Sequence, residues 1–212
     1  MVYDYVMKQA LRKQIGAVLS RLDAAEIARQ SAGAAGVLRT LPAYRAARTI
    51  AFYMHMDTGE LQTAAMIANA FEDGKRVFLP HIVRLQPGEA HPWFPSQKTH
   101  LRMLELPSLA AVHALEPRGK YRLREPTEGM NALTDGGLDL VVLPGVGFST
   151  TGGRLGHGAG YYDAFVNEHE AVTGRVPQLV GVGLAEQLVA ELPVEPHDRT
   201  LDAVVLGAKQ YK

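Results

Sequence analysis

The sequence predicts an α/β fold: one domain spanning residues 1–212, built on a mixed, mostly parallel sheet. Three observations predict it. Short apolar runs rich in β-branched residues recur at residues 49–54, 76–79, 139–144, 179–184 and 204–206. Stretches of helical period separate several of them. A chain of 212 residues, 47% hydrophobic and 21% charged, can bury a core of that kind without staples.

Two helices open the chain. Leu11, Ile15, Val18 and Leu22 recur at helical spacing, and Asp23-Ala-Ala-Glu26 has the form of a capping box that restarts a second helix through Ile27, Ala34 and Leu38. Thr49 to Met54 (TIAFYM) reads as a buried strand. Leu61, Ala64, Ala68 and Phe71 form a helical stripe that Gly74 closes, and Arg76 to Leu79 is the next strand, ended by Pro80. This is a βαβ unit with parallel strands. From Pro80 to Pro126 the chain holds seven of its twelve prolines and its one tryptophan, Trp93, so loops and edges are expected, with a possible strand at Met103 to Leu106. Regular structure resumes with the strand Asp139 to Pro144 (DLVVLP), a helix from Tyr161 to Glu170, the strand Leu179 to Leu184 and a last one at Val204 to Leu206.

Between DLVVLP and the helix at Tyr161 lies GVGFSTTGGRLGHGAG, residues 145–160, with seven of the 21 glycines. Strand, glycine loop and helix is a phosphate-site arrangement. Glycines let successive amides turn inward, and the helix adds free N–H groups and the positive end of its dipole. A merely flexible connector is the alternative. Standard motifs do not fit. Gly153 to Gly158 has P-loop spacing but is followed by Ala159 and Gly160; Gly156 to Gly160 is not G-x-G-x-x-G; Gly147-Phe-Ser149 lacks the second glycine of a nucleophile elbow. Arg154 is the loop's permanent cation, His157 a second donor, and Asp163 a carboxylate suited to magnesium. Singly, these would pass as a surface arginine, a neutral loop histidine and a helix-start carboxylate.

Other classes are disfavoured. There is no cysteine, hence no disulfide or thiolate chemistry, and 22 basic against 22 acidic side chains argue against a nucleic-acid or anionic-membrane binder. The first fourteen residues carry four charges and no apolar h-region, and no apolar run approaches the ~20 residues of a membrane span. A soluble, cytoplasmic protein is expected, with the mitochondrial matrix as the alternative.

Residues 144–165, PGVGFSTTGGRLGHGAGYYDAF, closely resemble the signature of the 5-formyltetrahydrofolate cyclo-ligase (5,10-methenyltetrahydrofolate synthetase) family, and the likeness runs over nearly the whole chain. Lys8-x-x-Leu11-Arg12, Glu60-Leu-Gln-Thr63, Arg76 to Pro80, Tyr121 to Pro126, Glu186-Gln187 and Pro193 to Asp198 match further family elements. Ser149 stands where the family usually has aspartate, and Ala159 where it usually has lysine. The resemblance implies a Rossmann-like three-layer sandwich of the NagB/RpiA/CoA-transferase kind, acting as a monomer. It implies closure of 5-formyltetrahydrofolate, with or without a polyglutamate tail, to 5,10-methenyltetrahydrofolate with ATP and Mg2+. Lys8, Arg12 and the loop Arg154, Leu155, Gly156, His157, Gly158, Ala159, Gly160, Tyr161 and Tyr162 would contact ATP. His55, Glu60 and the segment His157 to Tyr161 would contact the folate; without the resemblance, Glu60 reads as a carboxylate in the first turn of a helix, complementing its dipole. Arg154, His157 and Tyr161 would act at the reacting centre, and Asp163 and Asp198 would hold magnesium. A binding protein without turnover, and an ATP-dependent kinase or ligase with another acceptor, are the rival readings.

Overall fold

The structure is a computed structural model that describes residues 2–56, 58–86, 98–118, 122–192 and 199–212. Its centre is a seven-stranded sheet made of β1 (Thr49–Ala51), β2 (Arg76–Arg84), β3 (Thr99–Leu106), β6 (Leu140–Leu143), β9 (Gln178–Gly183), β11 (Ala203–Leu206) and β12 (Lys209–Tyr211), in the order β12-β11-β9-β6-β1-β2-β3. The inner pairings are parallel and the two edge pairings, β2–β3 and β11–β12, antiparallel. Short strands β4 (Pro117–Arg118) and β5 (Leu123–Arg124) pair with each other. The strands β7 (Gly147–Ser149), β8 (Arg154–Leu155) and β10 (Leu188–Val189) make a second small sheet.

Strand periodicity sorts the side chains into two cores. Ile50, Val77, Leu79, Val142, Val180 and Val205 point to one face, where α1 (Val2–Leu19), α2 (Ala24–Thr40), α3 (Pro42–Ala46), α4 (Ala64–Glu72) and α5 (Leu109–His113) contribute to the cluster. Their neighbours Ala51, Phe78, Val141, Val204 and Leu206 point to the other, packed with Phe165 and Val166 of α6 (Tyr161–Thr173). The result is the expected three-layer arrangement. No helix of the described residues is long and apolar enough to cross a membrane.

Several local expectations are corrected. Asp23 caps α2 by accepting the Glu26 N–H at 2.7 Å, but the Glu26 carboxylate turns to Arg29 and Gln30 and does not complete a capping box. Pro80 does not end β2, which continues to Arg84. The Arg76 N–H donates to Arg48 and the Phe78 carbonyl accepts from Phe52, so even-numbered residues of β2 face β1. Because β1 has ended by the level of Pro80, its missing N–H deprives no partner. The β3 strand begins at Thr99, four residues earlier than predicted, because it pairs along the full length of β2. Helix α4 begins at Ala64, so Glu60 lies in the loop before it and not in its first turn.

Candidate active site

The sheet order places a topological switch between β1 and β6. The chain leaves β1 through α4 toward β2 on one side, and leaves β6 through α6 toward β9 on the other, with the two helices on opposite faces. In such sheets ligands bind in the crevice beyond the carboxyl ends of the diverging strands. A cleft of about 520 Å³ lies there, lined among others by Arg12, Met56, Glu60, Gly145, His157 and Gln187.

The segment after β6 is half hairpin and half loop. β7 and β8 pair antiparallel, and the Ser149 Oγ accepts the Gly153 N–H at 2.9 Å to close their turn. Ser149 is therefore a buried turn residue away from the cleft, doing a hydrogen-bonding job that an aspartate side chain also performs. Leu155 belongs to the core. The Arg12 Nε then donates to the Gly156 carbonyl at 2.8 Å, tying α1 to the loop. Gly158 and Gly160 have φ of +99° and +69°, a region that favours glycine, and Gly160 starts α6 without a side-chain cap. His157, Gly158 and Ala159 are exposed on the rim.

The two charges singled out in this segment are bonded to each other. Arg154 and Asp163 form an ion pair at 2.6 Å, their side chains 8% and 15% exposed, and Arg154 also donates to the Pro144 carbonyl at 3.3 Å. Although His157 reaches the surface, the protein packed around its imidazole desolvates the ring in part, and together with the nearby Arg12 and Arg154 guanidiniums this holds its pKa below the ordinary value. The Tyr161 hydroxyl pairs with Thr99 Oγ1 at 2.6 Å, linking the start of α6 to β3. Burial raises the Tyr162 phenol, and the Glu60 carboxylate adds to the rise.

The segment after β1 is organised by Thr63, which is fully buried. Its hydroxyl donates to the Tyr53 carbonyl at 2.8 Å and its N–H donates to His55 Nδ1 at 3.2 Å. An Nδ1 that accepts leaves the proton of the neutral ring on Nε2. Glu60 Oε2 accepts the Met56 N–H at 2.8 Å, which bends the loop back on itself. Desolvation pushes the Glu60 carboxyl up to about 7, only partly offset by that hydrogen bond.

Of the residues singled out in the sequence, the cleft brings Arg12, Glu60 and His157 together from three distant parts of the chain. Lys8 sits one turn before Arg12 on α1, while His55, Arg154 and Asp163 are not among the residues that line the cleft. Asp198 lies outside the described residues. Among the described residues, no group of three His, Asp or Glu side chains is placed to hold a metal ion by itself. The cleft also contains Gln187, which the sequence marks as part of the family-matching Glu186-Gln187 pair but not as a site residue.

Comparisons with known proteins identify the family. The model of the 5-formyltetrahydrofolate cyclo-ligase family matches residues 4–207. The chain is 39% identical to the 5-formyltetrahydrofolate cyclo-ligase of Saccharomyces cerevisiae over 94% of its length and 95% of the relative's. It is 31% identical to the Mus musculus protein of the same name, over 93% and 92%. The NMR structure of Aquifex aeolicus 5,10-methenyltetrahydrofolate synthetase superposes with a TM-score of 0.71, covering 97% of this chain and 92% of that one; at 24% identity this likeness concerns the fold.

Proposed function

The chain belongs to the 5-formyltetrahydrofolate cyclo-ligase family, a family of ligases, and we propose that it closes 5-formyltetrahydrofolate to 5,10-methenyltetrahydrofolate while ATP becomes ADP and phosphate. The observation that carries this reading is the cleft at the switch point, where Arg12, Glu60 and His157 converge beside the uncapped start of α6. A formyl amide holds its oxygen firmly, because oxide or hydroxide leaves poorly. Transfer of the γ-phosphoryl group to that oxygen releases ADP and makes a phosphate leaving group; N10 then attacks the formyl carbon and gives up its proton to solvent, the C–O bond breaks with loss of phosphate, and the ring closes. Such transfer depends on in-line placement and charge stabilisation.

In this reading Lys8, Arg12 and the loop from Arg154 to Tyr162 bind the nucleotide, with the α6 N–H groups facing anionic oxygen. Glu60, with a carboxyl that titrates near neutrality, hydrogen-bonds the polar edge of the pterin, and His55 stands beside it. His157 to Tyr161 lie between the two ligands. His157, neutral at pH 7, donates a hydrogen bond without adding a fixed charge. Magnesium in nucleotide sites takes one or two protein carboxylates together with phosphate oxygens and waters, and the hard oxygens of Asp163 fit that donor chemistry. Asp163 and Asp198 would hold the ion, which neutralises charge on the phosphates. The Arg154–Asp163 pair gives Asp163 a second duty, since it fixes the start of α6 against β8.

The test is formation of the methenyl product, followed by its absorbance. The rate should require ATP, magnesium and 5-formyltetrahydrofolate together. Full activity without ATP would overturn the reading, and a stable phosphorylated product would identify a kinase acting on another acceptor.

A further inference from the structure

One wall of the cleft has a feature that the ligand contacts above leave unused. In and beside this wall, four backbone carbonyl oxygens are each held by a side-chain N–H donor. Arg154 Nη1 donates to Pro144 at 3.3 Å and Arg12 Nε donates to Gly156 at 2.8 Å. Gln187 Nε2 donates to Gly145 at 2.5 Å and to Val146 at 3.2 Å. Gln187 thus takes two of the four, and Gly145, Val146 and Gln187 all line the cleft.

The Gln187 amide is held at both ends. Its side chain is buried, with the residue 2% exposed, and its Oε1 accepts the Leu184 N–H at 2.6 Å. An oxygen committed to a donor and a nitrogen committed to two acceptors determine which way the amide points. One glycine makes room for it: a Cβ on Gly183, the last residue of β9, would stand 2.6 Å from Gln187 Oε1. The small residue at the end of β9 is thereby tied to the placement of the amide.

A carbonyl oxygen is the negative end of its peptide dipole. Facing a polyphosphate across a low-dielectric cleft, it repels the ligand; bonded away from the cleft, it does not. We propose that Gln187 is a positioning residue for an anionic, polyphosphate ligand. By holding the Gly145 and Val146 carbonyls, it turns the negative ends of those peptides from the ligand's path. This rests on the nucleotide reading above and adds a residue to which that reading gives no contact.

The test compares ligands that differ only in phosphate. Binding of ATP to the full chain is measured by calorimetry, and binding of adenosine by displacement of ATP. Gln187→Met keeps the length of the side chain and removes both donors. It should weaken ATP about tenfold while leaving adenosine within about twofold of wild type. A residue with a merely structural role would move both ligands together or neither. Equal losses, or none, overturn the inference while wild-type binding of ATP still stands. A wild-type chain that binds no ATP overturns the nucleotide reading itself, and the inference with it.

If Gln187→Met does not fold, as judged by circular dichroism, Gln187→Glu decides. Its oxygen still accepts from Leu184, and its protonated form can donate to Gly145. ATP affinity relative to wild type at the same pH should then be low at pH 8 and recover as pH falls to 6. A ratio that does not change with pH overturns the inference.

Discussion

Residues 145–155 hold four glycines in eleven positions and residues 156–160 three in five, and the two sets differ in what the glycines are for. In the first stretch, a Cβ would collide almost everywhere: 2.6 Å from the Phe148 ring at Gly145, 2.9 Å from Ile15 at Gly147, and 2.6 Å from the Leu201 carbonyl at Gly152. These glycines let a hairpin press against α1 and the core. In the second stretch, Gly156 and Gly158 meet nothing closer than the Arg154 and Arg12 guanidiniums, at 3.2 and 3.5 Å. There the glycines provide backbone conformation, with φ of +99° at Gly158 and +69° at Gly160, and a rim open to solvent. A count of glycines alone merges a packing device with a conformational one.

Four measurements probe this division, in order of expected effect on stability. The largest belongs to the seam between the halves. Asp163→Asn leaves the buried Arg154 cation without its counter-charge and should cost about 3–5 kcal/mol in denaturant unfolding. A loss below about 1 kcal/mol would mean that the hairpin and α6 are held together by other contacts.

Next comes the carboxylate across the cleft from the open half. Glu60 has a folded pKa of about 7 against 4.5 in the unfolded chain, so between those values the folded state binds the extra proton. Stability contributed at low pH is therefore lost as pH rises from 4.5 to about 7, a penalty on the order of 3 kcal/mol above pH 7. Glu60→Gln should accordingly raise the melting temperature at pH 8 and barely change it at pH 4.5, while weakening folate more than ATP. An equal change at both pH values would remove burial as the cause.

Gly145→Ala in the packed half should destabilise by about 1–3 kcal/mol, because the Phe148 ring must give way to the new methyl. Unchanged unfolding would show that the ring has room to move. The smallest effect belongs to the open half. Ala159→Lys adds a cation on the exposed rim, so its unfolding free energy should stay within about 0.5 kcal/mol of wild type. The same change should tighten ATP through a charge-assisted contact. Unaltered ATP affinity would show that position 159 does not face the phosphates.

Much of this was legible beforehand, for reasons that are local. The apolar runs at 49–54, 76–79 and 179–184 announced their strands because continuous apolar, β-branched residues suit a strand buried on both faces, although β1 stops at Ala51, short of Met54. The order strand, glycine loop, helix was legible as well, because the three follow one another directly along the chain. Pro80 misled, since its effect depends on whether a neighbouring strand still needs a donor at that level, and β1 does not reach so far. Glu60 misled as well. The helical stripe beginning at Leu61 suggested a helix start there, whereas Leu61 is buried in a loop and its carbonyl accepts from the Tyr53 hydroxyl at 2.9 Å.

The sequence by itself determined the α/β class, the order of most elements and a candidate segment for the site. Tertiary structure decided which polar groups meet. Arg12 reaches Gly156 across 144 residues and Gln187 reaches Gly145 across 42. Arg154 and Asp163, each read as a partner for a ligand, turn out to be partners for each other. The physical reason is range. Hydrophobic periodicity accumulates over neighbouring residues and can be read along the chain. A buried hydrogen bond exists only where folding brings donor and acceptor within about 3 Å, and nothing in local sequence specifies that distance.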